Sequence, residues 1–413
     1  MLIGNRPSSA TGKKPEEQLL YEFAPIGADG DDQTDLWDTY CHHCYSQNPP
    51  IPALSVMKPI LSGTKFSAKL AHYKIGKNLP IILQLLSQVK NISVINLSDN
   101  TLEPSCIPQL LEFVINSDSL SMLNIADNPL MRSKAVKDLL EGIGENRSLE
   151  TLDISNTGCS QIGSSIAKLI QNCTVLLRLD AVNCDLRHTA IDIANALPNS
   201  EKLKRLNLKK NQLHVGGKRF ATLLGSCAAR CTSLRKLYLS ENAITDEMAA
   251  VLLRGLSDSP VLTVLDISNN MIGEPSGRAL SAFVSKSTSL KALDISQNPI
   301  LNVSINKVRG SEANPNADNK EANKKDKKQR EYVPGVYLLL NALAKNTSLI
   351  TLSMYGLVAD EDEIRGKITQ LSSQNSQITV VYRGPESRYF GGSSAPEAPR
   401  FDSSDDDVAD DED

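Results

Sequence analysis

The chain is 413 residues long, enough for one large domain or two to three ordinary ones, and aromatic residues make up only 4% of it. Its 44 basic and 48 acidic groups leave a formal charge of −4, which argues against bulk attraction to nucleic acid or an anionic membrane. No apolar run reaches the roughly 18 residues of a membrane-spanning helix, and Met1-Leu-Ile-Gly-Asn-Arg6 lacks the apolar stretch of a secretory leader, so a cytoplasmic protein is expected.

Residues 1–32 are polar and punctuated by Gly and Pro, the composition of a disordered extension. Residues 33–62 predict a helical cap. Leu36, Trp37, Tyr40, Cys41 and Cys44 fall on one helical stripe, and Thr34 or Asp35 can begin it. The end of a repeat array needs a cover, and Trp37 is the expected plug. Cys41-His42-His43-Cys44 has the look of a metal site, but no second Cys or His pair stands at a useful spacing. Haem attachment needs His where Tyr45 stands. No metal and no cofactor are therefore expected. The eight cysteines are expected to be free thiols, with Cys159, Cys173 and Cys184 in small core positions.

An internal repeat then dominates. The frame L-x-x-L-x-L-x-x-N begins at Ile92, Leu120, Leu149, Leu176, Leu203, Leu234, Leu262, Leu290 and Leu349. The first eight starts lie 27 to 31 residues apart, and the last step is 59, about two periods. Asn100, Asn128, Asn211, Asn242, Asn270 and Asn298 hold the ninth position, while Thr157, Cys184 and Leu357 replace it. Degenerate copies at Leu70–Tyr73 and Ile378–Val381 extend the array to about ten or eleven repeats over residues 63–382. Positions one, four and six point into a shared core, and the strands, one per repeat, stack in parallel about 4.8 Å apart. The Asn serves backbone groups where the chain leaves the strand. Between strands, Ser160–Ile170, Ala249–Leu256 and Leu280–Val284 place apolar residues at helical spacing.

At Leu237-Tyr-Leu239-Ser-Glu-Asn242-Ala-Ile244 and Leu265-Asp-Ile267-Ser-Asn-Asn270-Met-Ile272-Gly273 the chain resembles leucine-rich-repeat proteins of the ribonuclease-inhibitor type. The resemblance implies an α/β solenoid in the form of a horseshoe, with parallel strands on the concave face and helices on the convex face. It also implies a habit of binding proteins.

Residues 301–332 interrupt the eighth repeat with eight basic and five acidic groups, and the frame places them on a rim. They read as a solvated loop or as a basic arm that orders on a partner; Lys324–Arg330 also resembles a nuclear import signal. Residues 383–413 form an acidic tail, expected to be disordered, whose last twelve residues hold eight acids. Ser403 and Ser404, each followed by acids, resemble substrates of an acid-directed kinase.

No nucleophile elbow, phosphate loop, metalloprotease or kinase signature occurs, and an enzyme is not expected. Positions three, five and seven of each repeat face outward, since side chains alternate along a strand. Asp at five and Ser at seven are usual in the family and carry little information. Position three supplies Arg178, Arg205 and Lys236 in successive repeats, beside Lys209, Lys210 and Tyr238. Such a row is either a charge surface paired with Asp153, Asp180 and Glu241, or a patch for an acidic partner segment anchored on Tyr238.

The expected function is a protein-interaction scaffold with several protein partners in one assembly and no nucleic acid or membrane. Leu36–Cys44, followed by Pro52, is similar to the starts of ciliary and centrosomal members, the nexin–dynein regulatory complex type among them. A cytoskeletal assembly such as an axoneme is the implied setting. A GTPase-activating protein of the Ran type is the alternative, since that family joins such repeats to an acidic tail, although residues 76–104 show no match to its characteristic Arg loop. CARMIL-like actin regulators are a further alternative, but they carry long C-terminal regions that this chain lacks.

Overall fold

The computed structural model describes residues 35–47, 49–128, 134–158, 161–302, 333–356 and 361–382. The expectations for residues 1–32, for most of the insertion, for the tail and for Cys159 and Leu357 lie outside these. The chain divides after Gly158 into two compact units.

The first unit opens with α1 (Leu36–Ser46), started by Asp35, whose carboxylate accepts from the Trp37 amide at 3.1 Å. Its buried residues are Tyr40 and Cys44, while Trp37 is half-buried with the Lys58 ammonium 5.8 Å from its ring centre. Tyr40 and Cys44 rather than Trp37 are therefore the most deeply buried side chains of this helix. The short α2 (Lys58–Leu61) leads to β1 (Ser67–Lys69), α3 (Leu79–Leu86), β2 (Val94–Asn96), α4 (Ile107–Ile115), β3 (Met122–Asn124), α5 (Lys134–Ile143) and β4 (Thr151–Asp153). The four strands pair in parallel in chain order, with Ala68, Ile95, Leu123 and Leu152 in register.

The second unit runs α6 (Gly163–Asn172), β5 (Arg178–Asp180), α7 (Ala190–Ala196), β6 (Arg205–Asn207), α8 (Gly217–Arg230), β7 (Lys236–Tyr238), α9 (Asp246–Leu256) and β8 (Val264–Asp266). It continues through α10 (Gly277–Lys286), β9 (Ala292–Asp294), α11 (Gly335–Leu343), β10 (Thr351–Ser353), α12 (Glu361–Gln374) and β11 (Thr379–Val381). Its seven strands are again parallel and in chain order. Leu293 on β9 pairs with Leu352 on β10, and α10 packs against α11, so the ladder crosses the insertion without a shift.

In both units the core lies between strands and helices. Leu179, Leu206, Leu237, Leu265 and Leu293, all at position four, are fully buried. A three-residue strand cannot bury such side chains alone, so each repeat depends on the next. The ninth-position Asn supplies much of the remaining cohesion. Asn242 accepts from the Asn211 and Leu213 amides of the preceding repeat and donates to the carbonyls of Leu208, Leu239 and Ser240. Asn270 and Asn298 repeat the pattern one and two repeats later. One carboxamide thereby satisfies buried backbone groups on two turns of chain. Thr157 is too short to span two turns in this way; its hydroxyl donates to the Ile154 carbonyl.

Position eight has a conformational signature. His72, Asp99, Asp127, Asn156, Asn183, Lys210, Glu241, Asn269 and Gln297 all occupy it with φ between +49° and +67°. The left-handed residue turns the chain out of the strand. It also sets those side chains along the strand ends, where His72 meets Asp99 at 2.7 Å and Asn156 meets Asp127 at 2.8 Å.

Candidate functional site

Each strand presents positions three, five and seven on the face away from the helices. Position five is first of all a turn device. The carboxylate or carboxamide Oδ1 of Asn96, Asn124, Asp153, Asn207, Asp266 and Asp294 accepts the amide two residues on, at 2.8–3.2 Å. In the second unit Tyr238 and Ser353 stand where the other repeats have Asp or Asn, and charge gathers around Tyr238.

Arg178, Arg205 and Lys236 are register partners across β5, β6 and β7. They do not form a row of independent cations. Asp180, 3% exposed, takes Arg178 Nε at 2.5 Å on one oxygen and Arg205 Nε at 3.5 Å on the other. Arg205 is itself buried; its Nη1 donates to the Tyr238 hydroxyl at 3.0 Å and its guanidinium carbon lies 4.4 Å from the ring centre. A cation against a largely desolvated ring is worth on the order of 1–2 kcal/mol. Burial pushes the Tyr238 phenol above its ordinary range, with the Arg205 charge working the other way.

At the lip of the same strands, Lys209 and Lys210 share Glu241 at 2.9 and 3.2 Å. Burial opposes the charge on Glu241, and the two lysine hydrogen bonds outweigh it, holding the carboxyl below its usual range. The five residues singled out in the sequence therefore fall on one face of β5–β7 and the turn after β6. The structure brings Arg178, Arg205 and Tyr238 into one network around Asp180, and places Lys209 in a second with Glu241. Arg178 and Lys236 are half-buried and Lys209 is partly exposed, so these three present charge outward.

Two residues on this face were passed over in the sequence. Asp266 on β8 and Asp294 on β9 are register partners, 7% and 8% exposed. Among the described residues neither forms an ion pair. Burial pushes the Asp294 carboxyl up to about 6; the Asp266 charge adds to this, while bonds from Ser296 and the more distant Lys209 charge oppose it. A signal was present: position three of these two repeats is Val264 and Ala292, so the strands that carry the acids carry no cation.

Elsewhere, a cleft of about 720 Å³ lies between α3 and α4, lined by Leu83, Lys90, Glu112 and Phe113 among others. Among the described residues no group of three or more His, Cys, Asp or Glu is placed to hold a metal ion. The seven described cysteines are free, and no described helix is long and apolar enough to cross a membrane.

A family model described as a leucine-rich repeat matches residues 230–249, which span β7 and the first part of α9. The same frame, register and Asn ladder recur on either side of that match. These are leucine-rich repeats. No curated protein matches the chain. Among solved structures, the leucine-rich repeat-containing protein LegL7 from Legionella pneumophila is similar at 17% identity over 72% of this chain and 86% of that one, with a TM-score of 0.45. The actin-binding site 2 of leiomodin-1 is similar at 14% identity over 45% of this chain and 85% of that one, with a TM-score of 0.30. Leucine-rich repeats, like other stacked repeats, use their extended strand faces to bind proteins.

Proposed function

We propose that this chain is a non-enzymatic protein-interaction scaffold, a structural subunit of a cytoskeletal assembly such as a cilium or flagellum axoneme. The observation that carries the reading is the strand face of the second unit, where a cationic edge at Arg178, Lys209 and Lys236 surrounds the buried Arg205–Tyr238 pair. An acidic partner segment meets the exposed edge, and the buried pair acts as its rigid support. The cytoskeletal setting rests on the likeness of Leu36–Cys44 to ciliary and centrosomal members.

Arg205 is too deeply packed for a clean test, because reversing its charge would leave Asp180 and a new carboxylate buried together. The double substitution Lys209→Glu and Lys236→Glu acts on the outer edge. Affinity purification of the variant is expected to lose partners that the natural chain recovers; an unchanged partner set contradicts the reading. A tagged copy is expected to localise to the cytoskeleton, and concentration at the nuclear envelope would favour the Ran-type alternative.

A further inference from the structure

We propose that the acidic segment 402–413 of this chain occupies the cationic strand face at β6 and β7, so that a partner must displace it in order to bind. The proposal rests on the reading of that face as a docking surface for an acidic segment, and it names the occupant that the chain itself carries.

The charge on this part of the second unit is strongly one-sided. Between Lys202 and Ser240 stand ten basic residues and no acidic one. Three of the ten lie on α8, and the other seven follow β6 and β7 themselves. Lys202 and Lys204 precede β6, Lys209 and Lys210 follow it, Arg235 precedes β7 and Lys236 opens it. The Arg235 and Lys236 amides both donate to the Lys204 carbonyl, at 2.8 and 2.9 Å, so the two runs of cations are held side by side. Lys202, Lys210 and Arg235 are exposed, and Lys204, Lys209 and Lys236 are half-buried.

The neighbouring acids do not balance this charge. Asp180 and Glu241 draw on Arg178, Arg205, Lys209 and Lys210. Even so, from Arg178 to Glu241 twelve basic groups stand against five acidic ones, an excess of +7. Like charges on adjacent strands repel, and a flexible polyanion laid across them relieves several at once. Residues 402–413 carry eight acids and no base. The insertion at 301–332 is the weaker competitor for them, since its eight basic groups are interspersed with five acidic ones, an excess of +3.

The connection is long enough for the contact to form within one molecule. β11 ends at Val381 and is the fifth strand beyond β6 in an unbroken order, about 24 Å away at the usual strand spacing. The nineteen residues 383–401 span up to about 60 Å when extended. A covalent link of this kind holds the acids near the face at an effective concentration on the order of a millimolar. A face occupied about nine-tenths of the time accepts a competitor about ten-fold more weakly than an open one.

Zero-length carbodiimide coupling of the full chain, with peptide mapping of the monomer, reads the contact directly. At about 0.1 M salt, amide bonds are expected between carboxylates of 402–413 and Lys202, Lys204, Lys209, Lys210 or Lys236, and they are expected to vanish at about 1 M, where screening shortens to ~3 Å. Bonds confined to the insertion lysines, or formed only between copies, overturn the proposal. Fluorescence anisotropy with a labelled octaglutamate peptide reads the consequence. A full-length variant in which each of the eight acids becomes its amide is expected to bind the peptide about ten-fold more tightly than the natural chain. Adding Lys209→Glu and Lys236→Glu to that variant is expected to abolish the gain, with a thermal melt verifying the fold of each. Equal binding by the natural chain and the amide variant overturns the proposal and leaves the scaffold reading standing. Octaglutamate bound by neither overturns the proposal and contradicts the scaffold reading as well.

Discussion

Asp294 is a charge held in an unfavourable place. In the unfolded chain its carboxyl titrates near 3.9; in the fold it does so at about 6. Between those values the folded state keeps a proton that the unfolded state releases, so this residue's contribution to stability improves as pH falls from about 7 to 4. Above pH 6 the penalty is fully present. Asp294→Asn is expected to stabilise the fold at pH 7.5 by on the order of 1–3 kcal/mol, with the gain gone by pH 4. Urea denaturation at the two pH values checks this, and equal destabilisation at both would contradict it. Arg205→Met is expected to cost about 1–3 kcal/mol, since it removes buried bonds to Asp180 and Tyr238. Arg178→Ala, at a more exposed site, should cost about 1 kcal/mol or less in the same experiment. The positions of Arg178, Arg205 and Tyr238 were legible in the frame, but their mutual pairing was not. Alternation says which face a side chain takes, whereas the path of a long guanidinium across neighbouring strands depends on what lies there.

At the scale of the element, the repeat's strength lies in features shared between neighbours. Asn242→Ala removes two accepted and three donated bonds, and a loss of about 2–4 kcal/mol is expected from the buried groups left behind. A cost below 1 kcal/mol in a denaturation curve would show the ladder to be dispensable. Helix spacing has its own determinant. A Cβ built on Gly277 of α10 would lie 2.3 Å from the Gly335 backbone of α11, so Gly277→Ala is expected to cost about 1–3 kcal/mol through forced separation of the helices. Gly366 on α12 meets nothing within 4 Å, and Gly366→Ala is expected to add up to about 1 kcal/mol by helix propensity alone. Thermal melts of the two variants should move in opposite directions. The strands and their core residues followed from the nine-residue frame because burial repeats every period. The left-handed turn at position eight escaped it. That position holds His, Asp, Asn, Lys, Glu and Gln in different repeats, and it is defined by backbone geometry rather than by one residue type.

For the molecule as a whole, a charge of −4 describes no single surface. Without the eight acids of the last twelve residues the remainder is +4, and the insertion accounts for +3 of it. The repeats are thus close to neutral in sum while their strand face in the second unit is sharply divided. Cations edge β5–β7, and Asp266 and Asp294 on β8 and β9 form no ion pair among the described residues. The first half of that division was visible in the sequence because Arg and Lys at position three depart from the family pattern. The second half was not, because Asp at position five conforms to it, and only the absence of a facing cation makes it unusual. The central claim is that this face meets a protein. Site-specific photo-crosslinking tests it most directly, with the photoreactive residue placed at Val264 on β8 or at exposed Thr222 on α8. The account predicts a discrete protein adduct from position 264 and none from position 222; a folded, expressed protein that gives no adduct at 264, or the same adducts at both, would contradict it.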